Sequence, residues 1–288
     1  AIGEFLSYLP QNVWQLPPVI ESKDPTDRRD ESLLSVIPRD RRHMYQIKEV
    51  INSVVDLNSF FEINPGYGES LVVGRARLDG HSVGIMANDT MHHGGAVNAT
   101  ASEKMMRFVD LCDTFHIPLL NLVDNPGFLI GTQAEEEGTV RLGSRALMAC
   151  YQASIPWVSV IIRRCYGVAG AGHGNADGLN LRYAWPSADW GSLPIEGGVQ
   201  AAYKRDIESS ENPNTRRREL EDMLEQYRSP LRTAEAFGIE EIRDAGGNIL
   251  YRRDGSGPGR VVAANHVVAI NDMLSTAVTS GTGRKAAI

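Results

Sequence analysis

Three short apolar runs recur along the chain, each followed by a glycine-bearing turn and then by a helical pattern. Residues 82–87 lead into His92-His93-Gly94-Gly95, and residues 119–123 lead into Asp124-Asn125-Pro126-Gly127-Phe128. Residues 157–162 lead into Tyr166-Gly167-Val168-Ala169-Gly170-Ala171-Gly172. Val83-Gly84-Ile85-Met86-Ala87 is apolar on both faces, which predicts a strand buried on both sides. Thr100-Ala101-Ser102-Glu103 has the spacing of a capping box and predicts a helix to Phe115, with Met105, Val109, Cys112 and Phe115 as its buried stripe. A second helix is predicted over 139–153. Ile117-Pro118 stops the first helix and Ile155-Pro156 the second, and a strand begins at once after each. That repeated joint predicts an α/β fold of parallel strands with crossover helices.

The remaining pattern frames this core. Residues 4–9 predict one or two helical turns ended by Pro10. Residues 10–42, rich in Pro, Asp and Arg, read as an extended segment wrapping a surface. Residues 44–56 predict a helix with Tyr45, Val50, Ile51 and Val54 on its apolar side. Residues 70–78 and 81–87 flank Asp79-Gly80, a two-residue loop of the type I′ hairpin. A strand is expected over 179–185. Glu196-Gly197-Gly198 then opens a helix through Lys204-Arg205, and 214–236 predict a charged amphipathic helix with Leu220, Met223, Leu224 and Tyr227 on one side. Asp254 to Gly259 reads as a connector, 261–277 as a docking helix and the last ten residues as loose. The expected organisation is an extended segment at 1–43, a main domain at 44–252 and a tail at 253–288.

Composition narrows the chemistry. A formal net charge of -7 argues against a broad duplex-binding face, and basic clusters such as Arg216-Arg217-Arg218 sit beside acids. Cys112, Cys150 and Cys165 lack metal or redox spacing and fall in apolar segments, as buried reduced thiols of an intracellular compartment do. No apolar run reaches membrane-spanning length. His92, His93 and His173 complete no recognised metal-ligand pattern, and no serine sits in a nucleophile elbow.

The turns remain as the chemistry-bearing feature. Glycine lets backbone approach a ligand, and free N–H groups at a helix entrance attract a negative oxygen. In the 167–174 run the N–H donors of Val168 and Ala169 are the candidates, since the run follows the carboxyl end of a strand. Tight packing of a helix on a sheet is the competing use of such small residues. Gly94-Gly95 offers a second close approach. Pro126-Gly127 presets a type II turn, from which Phe128 is placed to lie over a bound ring. Glu135-Glu136-Glu137 reads as charge at a helix N-terminus.

These segments, taken together, resemble the biotin-dependent acyl-CoA carboxyltransferases. The likeness runs through Phe5-Leu6-Ser7-Tyr8-Leu9-Pro10-Gln11-Asn12, Pro17-Pro18, Val83 to Asn88 and Ala101-Ser102-Glu103-Lys104. It is most specific over Ile117 to Asp124, Pro126-Gly127-Phe128-Leu129 and Tyr183-Ala184-Trp185-Pro186, and it covers roughly residues 4–240. The resemblance implies a crotonase-like (ClpP/crotonase) ββα spiral and extends only to the C-terminal of the family's two halves. It implies that the amides of Gly167-Val168-Ala169 hold the ureido oxygen of biotin and that Pro126, Gly127 and Phe128 line the biotin pocket. It also implies that Ala171 occupies the position tuning acyl-chain choice. Val168 stands where the family has a second glycine. A valine still supplies an N–H, but its β-branched side chain resists a positive φ.

The expected function is a half-domain that binds carboxybiotin and transfers its carboxyl group to the α-carbon of a short acyl-CoA such as propionyl-CoA or acetyl-CoA. Biotin would arrive on a partner protein, with acyl-CoA as the other substrate. The N-terminal carboxyltransferase half and the biotin carboxylase and carboxyl-carrier components would be partners in a homo-oligomer. No nucleic acid, membrane or metal enters this reading, and the location is cytoplasmic or, in a eukaryote, the mitochondrial matrix. A biotin-linked decarboxylase or transcarboxylase, or a non-catalytic assembly subunit with the same fold, are the alternatives.

Overall fold

The computed structural model describes residues 2–25, 28–40, 43–170, 172, 174, 178–192, 194–225, 228–229, 232, 241–243 and 248–252. Ala1–Arg252 forms one compact unit. The helix expected at 261–277 lies outside the described residues.

Nine described strands make one sheet. The long hairpin β2 (Leu71–Leu78) and β3 (His81–Asn88) carries the short strand β1 (Phe61–Ile63) on its outer edge. Asp79 and Gly80 both have positive φ, 49° and 78°, as a type I′ turn requires. A side chain at Gly80 would collide with the carbonyl of Ile20, so glycine here lets the N-terminal segment dock on the hairpin. Ile20 N–H donates to the Gly80 carbonyl at 3.2 Å, and Val19 bridges to His81.

From β3 the sheet continues in parallel through β4 (Leu119–Asn125) and β5 (Trp157–Tyr166). Helix α3 (Ala99–Thr114) makes the first crossover. The short helix α4 (Thr132–Glu136) and then α5 (Thr139–Gln152) make the second. Asn98, not Thr100, caps α3, its side chain accepting the Ala101 N–H at 2.9 Å. On one face Leu71, Val73 and Met86 pack against Met105, Phe108, Val109 and Cys112 of α3 and against Ala146, Ala149 and Cys150 of α5. On the other, Val72, Val83, Ile85, Leu120 and Leu122 meet Ile47, Val50 and Ile51 of α2 (Ile47–Val54). Both faces of the central strands are therefore covered, as their unbroken apolar runs require.

The N-terminal helix α1 (Ile2–Ser7) covers the sheet near two buried arginines of β2. Arg77 donates to the Ser7, Pro18 and Gly80 carbonyls and lies 4.8 Å from the Tyr8 ring. Arg75, wholly buried, has no hydrogen-bond acceptor among the described residues and stacks 5.4 Å from the Phe5 ring. Between residues 10 and 42 the one helical turn described is a 3-10 turn at Glu31–Leu34.

Beyond β5 the short helix α6 (Gly167–Gly170) precedes two strands that both pair with β5. β6 (Asn180–Ala184) lies along its first half and β7 (Asp189–Gly191) along its last three residues. The helix expected from Glu196 through Arg205 is two helices, α7 (Ile195–Ala202) and α8 (Lys204–Ser209), broken at Tyr203. The long helix expected over 214–236 ends early, as α9 (Pro213–Glu225). Arg228 explains why the helix does not run on: its carbonyl accepts from Trp190 N–H at 3.0 Å and its side chain turns inward to Asp189. β8 (Glu241–Arg243), parallel to β6, and β9 (Ile249–Arg252) complete the sheet. No described helix is long and apolar enough to cross a membrane.

All three cysteines are free and buried, and burial raises each thiol's pKa, to about 12 for Cys112 and Cys150. The protonated thiol is thus favoured by folding. Stability from this source is complete below the unfolded value near 9.0 and is lost as pH rises towards about 12. Ellman's reagent at pH 8 is expected to find no fast-reacting thiol in the native chain and three after unfolding. Rapid native labelling of Cys112 or Cys150 would contradict this packing.

Candidate functional site

Because β3, β4 and β5 are parallel neighbours, their carboxyl ends bring the three glycine turns to one edge of the sheet. What fixes that edge is an irregularity in β5. Val123 pairs with Ile161, but Asn125 pairs with Cys165, so Ile162, Arg163 and Arg164 stand opposite the single residue Asp124. A bulge of this kind re-aims side chains, here letting consecutive arginines reach the same carboxylate. Arg163 Nε donates to Asp124 Oδ2 at 2.9 Å, and Arg164 Nε donates to Oδ1 at 2.6 Å. The Asp124 side chain is fully buried, the Arg163 side chain 3% exposed and that of Arg164 17%. Arg163 also donates to the His43 carbonyl and lies 5.0 Å from the Tyr45 ring.

Each turn has its own local cause. In the first, His93, Gly94 and Gly95 all have positive φ, at 50°, 62° and 86°. A Cβ on Gly95 would lie 2.8 Å from the Asp124 carbonyl, so this turn rests directly on the end of β4. In the second, the turn is closed by Asn125, whose Oδ1 accepts the Gly127 N–H at 2.9 Å; it is an Asx turn with Gly127 at φ 126°, not the type II turn expected. Val97 N–H donates to the Gly127 carbonyl and Leu129 N–H to the Val97 carbonyl, stitching the first two turns together. The Phe128 ring packs on Gly143 of α5, where a Cβ would fall 2.5 Å from it.

The third turn is clamped before it begins. Tyr166 donates its hydroxyl to Asp189 Oδ2 at 2.5 Å, and Arg228 Nε holds Oδ1 of the same buried carboxylate at 2.8 Å. The chain then reverses at Gly167, φ 61°. Val168, whose branching raised the question of strain, lies in the helical turn and is spared any positive φ. The left-handed residue is the glycine before it. Val168 and Ala169 fall in the first turn of α6, where N–H groups have no intrahelical partner, and neither has an acceptor among the described residues. The Val168 side chain is 68% exposed and Ala169 is buried. Cys165 Sγ donates to the Gly170 carbonyl at 3.1 Å, and a Cβ on Gly170 would strike the Cys165 backbone, so the turn folds tightly on its own strand. Small residues here serve tight packing of the turn on its strand.

Gly94, Gly95, Pro126, Gly127, Phe128, Gly167, Val168 and Ala169 thus lie on one edge. Ala171 and His173 lie outside the described residues. What the sequence reading missed is the Asp124–Arg163–Arg164 cluster beneath them. Its signal was three charged residues abutting apolar strands, where burial demands a partner.

A mostly parallel sheet with crossover helices is the crotonase-like arrangement, shared with the carboxyltransferase structures it matches. The chain belongs to the carboxyl transferase domain family, whose profile matches residues 1–246. A propionyl-CoA carboxylase carboxyltransferase subunit from Haloferax mediterranei is 38% identical over 250 residues, 85% of this chain and 48% of that protein. The methylmalonyl-CoA carboxyltransferase 12S subunit of Propionibacterium freudenreichii subsp. shermanii is 33% identical over 243 residues, 84% of this chain and 46% of that protein. A transcarboxylase 12S structure, a hexamer with methylmalonyl-coenzyme A and methylmalonic acid bound, superposes with a TM-score of 0.77 at 32% identity, covering 84% of this chain and 47% of that one. The chain therefore spans about half the length of the curated relatives it matches.

Removing the shared carboxylate tests the geometry. Asp124→Asn would leave two buried guanidinium groups without a counter-charge, a loss expected to cost about 3–5 kcal/mol. Equilibrium urea unfolding measures it, and a change below about 1 kcal/mol, the range of an exposed pair, would contradict a buried cluster.

Proposed function

We propose that this chain is the half of an acyl-CoA carboxyltransferase that binds carboxybiotin, carried on a partner protein, while a complementary half presents the acyl-CoA. The observation that carries the reading is the pair of amides at Val168 and Ala169 that have no acceptor among the described residues, beyond the clamped end of β5 in a chain of this family. The residues fit a ligand oxygen. Both N–H groups lack acceptors among the described residues, and the Val168 side chain stands largely in solvent rather than being packed into the sheet. Open space at Gly127, where a Cβ would meet nothing within 4 Å, leaves room beside the neighbouring turn.

In this reading Val168 and Ala169 donate to the ureido oxygen and orient the ring. Pro126 and Gly127, with Gly94 and Gly95 beyond them, shape the wall. When bound, biotin supplies the carboxyl group and a basic ureido group that takes the substrate's α-proton. The chain's contribution is placement and fixed dipoles, which need no reorganisation during the reaction. Homologues include both propionyl-CoA carboxylases and a methylmalonyl-CoA decarboxylase subunit at similar identity, so the short acyl-CoA is the common substrate class and direction belongs to the assembled complex. As half of a site, the chain alone is expected to show little turnover of propionyl-CoA.

Calorimetric titration of the full chain with biotin is expected to give measurable binding. Gly167→Ala, which places a side chain at φ 61°, should weaken it at least about tenfold, or about 1.4 kcal/mol. Absence of binding by the unaltered chain together with its complementary half would contradict the proposal and favour an assembly role.

A further inference from the structure

The His93–Gly95 turn holds a conformation that it does not favour. His93 is the only non-glycine of three consecutive positive-φ residues, and a side chain in the left-handed region is disfavoured unless its surroundings hold it there. Two side chains do so. Asn88 Nδ2 donates to the Gly95 carbonyl at 3.1 Å, and Arg164 Nη2 donates to the Gly94 carbonyl at 2.6 Å. Arg164 is the better anchored of the two, because the same guanidinium gives its Nε to Asp124 Oδ1 at 2.6 Å and its backbone N–H points to that oxygen at 3.2 Å. One planar group therefore joins the end of β4, the end of β5 and the turn after β3. Only 17% of its side chain is exposed, so these charge-assisted bonds are little weakened by water.

The geometry points to Arg164 as a positioning residue that fixes the left-handed His93–Gly95 turn to the carboxyl ends of β4 and β5. Its bearing on catalysis rests on the reading of that edge as the ligand site, but the mechanical role stands on its own. Arg164 lies three residues before Gly167, so the same side chain sets the first turn against the third. The function requires a fork. Nε and Nη2 serve acceptors on two different elements, whereas the single nitrogen of a lysine cannot hold the same fixed pair of directions. Arg163, its neighbour, reaches Asp124 but gives its Nη1 to the His43 carbonyl.

Hydrogen exchange on the ligand-free full chain tests this without biotin. The Gly95 and Ala96 amides are bonded to the His92 and His93 carbonyls and report on the turn. The Gly84 amide, bonded to the Pro118 carbonyl, reports on the sheet below. In Arg164→Lys and Arg164→Ala, exchange at Gly95 and Ala96 is expected to quicken about tenfold or more while Gly84 stays within about twofold. Added guanidinium ion should restore slow exchange in Arg164→Ala, a rescue that general loosening would not show. Unchanged exchange at the turn, equal acceleration at Gly84, full protection by lysine or failure of the rescue would each overturn the assignment. Failure of biotin to bind would leave these exchange rates as they are, so the two readings fail separately.

Discussion

The edge that carries the glycine turns depends on one buried carboxylate shared by two arginines. Asp124 ends β4 inside the fold, and the bulge in β5 brings Arg163 and Arg164 opposite it. Without the bulge, alternation along the strand would send adjacent side chains to opposite faces, and one carboxylate would not meet both. A second buried carboxylate, Asp189, repeats the device one step further on, joining Tyr166 and Arg228. Between them the two clusters clamp the last residues of β5 from both sides, immediately before Gly167 reverses the chain.

Buried charge is an expensive way to stabilise a protein, and apolar residues of like volume often do as well. Its use here fits a need for direction rather than adhesion. Guanidinium groups hold carbonyls and carboxylates at fixed angles, so the ends of neighbouring strands keep their relative heights. A turn whose amides lack acceptors among the described residues, as at Val168 and Ala169, would gain from such a support if it binds a ligand, because a preorganised donor loses nothing by reorienting.

Much of this fold was legible in the sequence, and the gaps have physical causes. The hairpin, the three parallel strands and their crossover helices followed from apolar runs and Ile-Pro stops, and Asp79-Gly80 announced its own turn type. The strands were read too short, however, ending at Val123 and Ile162, because Asp124, Arg163 and Arg164 look like surface residues when pairing is invisible. Helix 214–236 was read too long for a related reason: the pull of Arg228 towards Asp189 is a contact across 39 residues that no local pattern encodes. Val168 raised a worry over strain that the backbone resolves, since Gly167 takes the left-handed position. The type II reading of Pro126-Gly127 failed because the side chain of Asn125 draws the Gly127 amide into an Asx turn, which sets Gly127 at φ 126°. The turns themselves were visible from their glycines, but what holds them level was not.

The most direct measurement of this account is the exchange of arginine Nε–H protons by NMR at alkaline pH. Arg163 and Arg164 should give Nε–H signals that outlast that of the exposed Arg107, and both should move together when Asp124 is replaced. Signals that exchange as fast as Arg107, or that respond independently, would mean that no shared carboxylate organises the edge.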